Sequence, residues 1–214
     1  MSTLQEWYPN ATEKESAIVA TTNKAPMGGP VTVALIFYNG DEEEGRKRFA
    51  KLIALGPLVD AAGMIPYQSL NELQNAALPY GANYHLTGSL RGDKGVAPEV
   101  ASKVFDQLIE ISNAPGSCAT ESTPQITILW EFFHLKRMAR VPPDATAFRM
   151  RVAHPAMPIA ISWEGSSPEA TADAKDRLKR LKQYVEDEMK DTFSDGIGEN
   201  DTGYGNYGTF DGCG

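Results

Sequence analysis

Residues 125–133 read Gln125-Ile126-Thr127-Ile128-Leu129-Trp130-Glu131-Phe132-Phe133, an apolar and β-branched run entered from Pro124. Side chains alternate across a strand with a period of two. Ile126, Ile128, Trp130 and Phe132 are therefore expected on one face, and Thr127, Leu129, Glu131 and Phe133 on the other. Upstream, Val31–Tyr38 (VTVALIFY) places eight apolar or β-branched residues between Pro30 and Asn39-Gly40, which predicts a buried strand. Tyr80–Arg91 (YGANYHLTGSLR) reads as a strand with a turn at its mouth, and residues 146–152 and Met157–Trp163 as two more.

Helices separate these strands. Asp41 is placed to accept a bond from the first free N–H groups of a helix, and Glu42, Glu43 and Glu44 suit the positive end of its dipole. Phe49, Leu52 and Ile53 form its inner face, and Gly56-Pro57 ends it. Residues 58–67 are expected to be extended, and residues 68–77 to form a short helix. Pro98 opens a helix with Val100, Val104, Leu108 and Ile111 at helical spacing. Ser167-Pro168 begins the longest one, with Ala174, Leu178, Leu181, Val185 and Met189 along one side. The mixture predicts an α+β fold, a mostly antiparallel sheet with helices packed on one face. Residues 1–30 read as an irregular arm with at most one short element, 31–190 as the α+β unit, and 191–214 as a Gly-rich acidic tail.

The chain has 214 residues, long enough for a sizeable core, and 42% are hydrophobic and 22% charged, ordinary values for a globular protein. Its net charge of −8 leaves no basic surplus to neutralise phosphates, which argues against nucleic acid or an anionic membrane as partner. Arg177, Lys179, Arg180 and Lys182 alternate with Asp173, Asp176, Glu186 and Asp187, the pattern of a solvated helix face. No apolar run approaches the ~20 residues of a membrane span. The first residues lack a basic stretch followed by an apolar one, so an intracellular, cytoplasmic location is expected. Cys118 and Cys213 form neither a disulfide framework nor a ligand cluster and are read as thiols. His85, His134 and His154 fall in three separate segments with no metal-ligand spacing, and no metal is expected.

Glu131 is the ionisable residue that stands out, because a carboxylate in an apolar strand has its charged form disfavoured and is suited to general-base work. It can equally pair with Lys136 or Arg137 on a partly exposed face. His134 can act as a ligand or proton shuttle, or simply end the strand. His85 can form a polar pair with Tyr84, and His154 reads as a loop residue.

Several segments occur in a telling order: FYNGDEEEG at 37–45, Met64-Ile65-Pro66-Tyr67, PYGANYHL at 79–86, RVPPDATAFRMR at 140–151 and YGNY at 204–207. From about Val31 to Tyr207 the chain resembles the C-terminal, substrate-binding half of berberine-bridge-enzyme-like FAD-linked oxidases. In that family the Tyr-x-Asn-Tyr segment reaches toward the flavin ring. The resemblance implies that Tyr204 takes a proton from a substrate hydroxyl as hydride passes to flavin N5, with Asn206 and Tyr207 beside it. It further implies that Glu131 holds the acidic position facing the flavin, that His134 stands where relatives often carry glycine, and that Tyr84, His85 and Trp130 contact substrate.

The family's flavin is held by a large domain with histidine and cysteine tethers, and the matched segments do not include it. Neither Gly28-Gly29 nor Gly203-x-Gly205 makes a dinucleotide-binding GxGxxG between a strand and a helix. FAD is accordingly expected only when a partner domain supplies it. Three functions follow: the substrate part of such an oxidoreductase acting on a small hydroxylated or aromatic compound, a cofactor-independent isomerase, dehydratase or cyclase on the same fold, or a non-catalytic binding module. The expected partners are a small molecule and either a flavin-binding subunit or a second copy of the chain.

Overall fold

The computed structural model describes residues 1–24, 28–74, 83–86, 90–91, 96–119, 123–142, 144–147 and 156–190. Its strands are β1 (Glu15–Thr22), β2 (Val31–Tyr38), β3 (Asn83–Leu86), β4 (Leu90–Arg91), β5 (Gln125–Phe132), β6 (Ala156–Met157) and β7 (Ile159–Trp163). They join one sheet in the order β2-β1-β5-β6-β4, with β7 pairing with β5 and β3. Every pairing is antiparallel. The expected run from Met157 to Trp163 is split at Pro158, which has no N–H to give; its carbonyl still accepts from the Leu129 N–H at 3.0 Å.

Helices α1 (Ser2–Trp7), α2 (Glu42–Arg48), α3 (Ala50–Ile53), α4 (Pro98–Asn113) and α5 (Pro168–Met189) accompany the sheet. The even residues of β5 are buried in one apolar cluster with Ala17 and Val19 of β1, Ile159, Ile161 and Trp163 of β7, and the inner stripes of α4 and α5. Val104, Leu108 and Ile111 supply α4's share, and Ala174, Leu178, Leu181, Val185 and Met189 supply α5's. The fold is the expected α+β arrangement, with helices against one face of an antiparallel sheet. Asp41 Oδ1 accepts from the Glu44 N–H at 2.9 Å, and Ser167 Oγ from the Ala170 N–H at 3.0 Å, so both helix starts form as read. Gly56 takes φ +70°, the left-handed geometry a helix end requires.

Four readings need correction. The first thirty residues are no irregular arm: they hold α1 and β1, which lies between β2 and β5 and pairs with both along its length. Strand β2 forms at its expected ends but is not buried; among the described residues it has a strand on one side only, and Thr32, Val33 and Ala34 are exposed. The helix after Asp41 breaks at Phe49 (φ −99°, ψ 13°), whose ring is drawn into the core beside Trp7. The short helix expected over 68–77 is a 3-10 helix over Tyr67–Gln74, and residues 75–77 lie outside the described residues. Thr146 and Ala147 lie in a bend, and the remainder of that expected strand, 148–152, lies outside the described residues, as does the 191–214 tail.

Glu15, at the start of β1, has a fully buried side chain. Its Oε1 accepts from Arg48 Nε at 2.9 Å, Arg48 Nη2 at 2.6 Å and Thr12 Oγ1 at 2.7 Å, and its Oε2 from Trp7 Nε1 at 2.9 Å. Burial alone would raise its pKa, but the bonds from Arg48, Thr12 and Trp7 outweigh burial and hold the carboxyl below its usual range. This stabilisation is present above the unfolded-chain value of about 4.3 and is lost as pH falls through the lower folded value. Glu15→Gln is expected to cost about 2 kcal/mol at neutral pH, since Arg48 is left with a weaker acceptor. Urea titrations at pH 7 and pH 3 check this: the gap between wild type and variant narrows at the lower pH.

Candidate functional site

The register of the sheet sorts residues onto two faces, and the face away from the helices is the candidate site. Leu35 of β2 lies opposite Ile18 of β1, Ile18 opposite Glu131 of β5, and Glu131 opposite Ala156 of β6. The adjoining row runs Val33, Ala20, Leu129, and the one beyond it Val31, Thr22, Thr127, Ala160, Leu86. Apart from two threonines, these rows carry apolar side chains around a single carboxylate. Glu131 is 9% exposed, whereas Ile18, Ala20, Leu35 and Leu129 are half-buried. The result is an apolar wall with one ionisable group set into a central strand.

The other expected site residues divide around this wall. Trp130 is on the opposite face, 5% exposed in the core, and its Nε1 donates to Thr21 Oγ1 at 3.3 Å. Neighbouring residues of a strand point to opposite sides, so Trp130 and Glu131 cannot line one pocket. His85 also points to the helix side, opposite Ile161. Tyr84 shares the Glu131 face, but it pairs in the row of Ser162 and Gln125, six residues along β5 from Glu131. At 3.3 Å per residue that is roughly 20 Å away. Partial burial raises the Tyr84 phenol above its usual range, so it is neutral at physiological pH. His134 is half-buried, two residues beyond the end of β5. Tyr204, Asn206, Tyr207 and His154 lie outside the described residues.

Ile18, Leu35 and Phe37 belong to the same wall and were not singled out from the sequence. The period-two pattern of ESAIVATT at 15–22 was the available signal for Ile18. Among the described residues no three His, Cys, Asp or Glu side chains converge as a metal site, and no helix is long and apolar enough to cross a membrane.

A second polar centre lies within the helix layer. Arg177 is 1% exposed, contrary to its expected place on a solvated face. Its Nη1 donates to the carbonyl of Ile111 at 2.6 Å and its Nη2 to that of Ala114 at 2.6 Å, satisfying acceptors at the C-terminal end of α4. Its Nε donates to Asp173 Oδ1 at 3.2 Å, while Asp173 Oδ2 accepts the Cys118 N–H at 2.9 Å. Burial and the bond to Asp173 push the Cys118 thiol up to about 11. This is a bolt between α4 and α5, not a reactive site. In a Cys213→Ser background, native Cys118 is expected to react with a thiol reagent at least about 100-fold more slowly than an ordinary cysteine. Rates measured with and without denaturant check it.

Comparison with known proteins places this geometry. No protein-family signature matches the chain. A curated FAD-linked oxidoreductase from Dictyostelium discoideum is 31% identical over 94 residues, covering 38% of this chain and 21% of that protein. Among solved structures, berberine bridge enzyme superposes with a TM-score of 0.60 at 16% identity, covering 91% of this chain and 38% of the other. The 6-hydroxy-D-nicotine oxidase of Arthrobacter nicotinovorans gives 0.59 at 12% identity, with coverages of 91% and 39%. A BBE-like protein from Arabidopsis thaliana gives 0.58 at 13%, with coverages of 91% and 40%. At these identities the likeness establishes the fold. The chain resembles berberine-bridge-enzyme-like FAD-linked oxidases, as its ordered segments implied, and spans less than half the length of the proteins it matches.

Proposed function

We propose that this chain is the substrate-binding part of an FAD-linked oxidoreductase of the berberine-bridge-enzyme-like kind, acting on a small hydroxylated or aromatic compound. The observation that carries the reading is the apolar sheet face that the described helices leave uncovered, with the buried Glu131 at its centre. Such a wall suits one side of a planar aromatic ring. The described residues do not suit a pyrophosphate: of the left-handed glycines Gly28, Gly29, Gly56 and Gly165, only Gly165 lies near a helix start. There the Ser167 hydroxyl already takes the Ala170 N–H. On this reading the wall meets the ring of FAD, and a partner domain holds its phosphates.

When bound, FAD supplies the hydride acceptor. The wall of Ile18, Leu35 and Leu129 orients the substrate and excludes water from it. Glu131 removes a proton from the substrate's O–H or N–H, and Tyr204 is a second group for that transfer, with Asn206 and Tyr207 as substrate contacts. The visible spectrum of the purified chain tests the proposal. Incubated with FAD and desalted, the chain alone is expected to be colourless; with the flavin-binding domain of a berberine-bridge-enzyme-like relative, it is expected to co-purify in a yellow complex. A colourless chain that by itself turns over a small hydroxylated substrate would refute the reading in favour of a cofactor-independent enzyme.

A further inference from the structure

One edge of the sheet is β2, eight residues reading Val-Thr-Val-Ala-Leu-Ile-Phe-Tyr from Val31 to Tyr38. Among the described residues β2 pairs only with β1, so alternate residues direct their N–H and C=O groups outward along its other side. Proteins normally blunt such an edge with lysine, proline, a bulge or a very short strand. Strand β2 has none of these devices: no charge, no proline, and a continuous register with β1 from Val31 to Tyr38. Around Thr32, Val33 and Ala34 both faces of the strand are also exposed.

An exposed apolar segment runs beside this edge. Ala62, Gly63 and Met64 line a cavity of about 90 Å³ together with Ile36 and Tyr38 of β2. In the same segment Leu58, Val59, Met64, Ile65 and Tyr67 are 43–95% exposed. These five residues offer a contiguous stretch of chain whose exposed apolar surface can supply much of the roughly 800 Å² that each partner buries in a standard interface.

We infer that β2 is a dimerisation edge, pairing antiparallel with β2 of a second copy to continue the sheet across a two-fold axis, with each 58–67 segment closing over the joint. A second copy is the occupant the sequence suits. An isologous pairing sets like against like, and eight uncharged residues allow that without repulsion, while both copies bring the same apolar flank. The pairing uses the backbone edge of β2, whereas Val33, Leu35 and Phe37 of the same strand carry side chains on the Glu131 face, and the inference does not rest on the flavin reading.

Sedimentation equilibrium of the full chain, in reductant so that Cys213 cannot bridge copies, tests it. Wild type is expected at twice the 23.3 kDa chain mass. Ala34 is exposed near the middle of the edge, so Ala34→Lys and Ala34→Glu leave the core intact. Each is expected to be a monomer with unchanged far-ultraviolet circular dichroism, and an equimolar mixture of the two is expected to recover the dimer. A wild-type monomer at every concentration, a dimer indifferent to both substitutions, or a β2 edge protected only by a flavin-binding domain would overturn the inference.

Discussion

Arg177→Ala is expected to destabilise the protein by about 3–4 kcal/mol, the largest loss from any single side chain discussed above. The guanidinium is buried, and it holds the carbonyls of Ile111 and Ala114 at 2.6 Å each together with Asp173 Oδ1 at 3.2 Å. Removing it leaves carbonyls at the α4 terminus without their donor and Asp173 without its cation. A hydrogen bond to a charged group contributes roughly 1.5–3 kcal/mol, and a buried acceptor that cannot reach water costs more than the bond alone. Against a typical total stability of 5–15 kcal/mol the loss is a large fraction, equivalent to roughly 10 °C in Tm. Methionine restores the volume without the donors, so Arg177→Met is expected to lose nearly as much. The neighbourhood leaves no slack: a Cβ on Gly116 would meet Asp173 Oδ2 and come within 2.6 Å of Arg177 Nη2. Urea unfolding at neutral pH is the measurement, and a loss under about 1 kcal/mol would show that the bolt is dispensable.

Glu131→Gln is expected to lower the turnover of the flavin-complemented protein by roughly 10²- to 10⁴-fold, the usual contribution of a positioned general base. Glutamine keeps the shape of the side chain and its place between Ile18 and Ala156, but cannot take a proton. A circular dichroism spectrum near that of wild type is expected to accompany the loss, so that the effect is read on folded protein. If the carboxylate only orients substrate, the variant raises KM and leaves kcat unchanged. If it takes the proton, kcat falls and the acidic limb of the pH–rate profile disappears. Trp130→Phe, on the core side of the same strand, is the control and is expected to leave kcat within a few-fold of wild type.

What could be read from the residues follows from which forces act locally. The alternation in QITILWEFF placed every side chain of β5 on its correct face, and Asp41, Ser167 and Gly56 marked helix ends, because those signals depend on a few neighbouring residues. Period two also separates Trp130 from Glu131; assigning both to one site conflicted with the strand's own pattern. Strand β1 was harder to see. ESAIVATT has small side chains on both faces, and its burial is produced by β2 and β5 pairing on either side of it, partners remote in sequence. VTVALIFY shows the opposite error, since an unbroken apolar run reads as buried whether it lies inside a sheet or at its edge. Arg177 was hidden by its charge, although it falls at helical spacing with Ala170, Ala174 and Leu181 on the buried stripe of α5. Tyr204, Asn206 and Tyr207 depend on a segment beyond the described residues, so their roles rest on the resemblance.

The central claim is that the open sheet face around Glu131 looks onto the flavin. Fluorescence of the flavin in the complemented complex tests this most directly, because an indole within contact distance of the ring quenches it. Leu129 is half-buried on that face, two residues from Glu131. Tyr67 is 83% exposed in the segment that borders the other side of β2. The account predicts strong quenching in Leu129→Trp and none in Tyr67→Trp. Unchanged fluorescence in Leu129→Trp, with the complex intact, would contradict it.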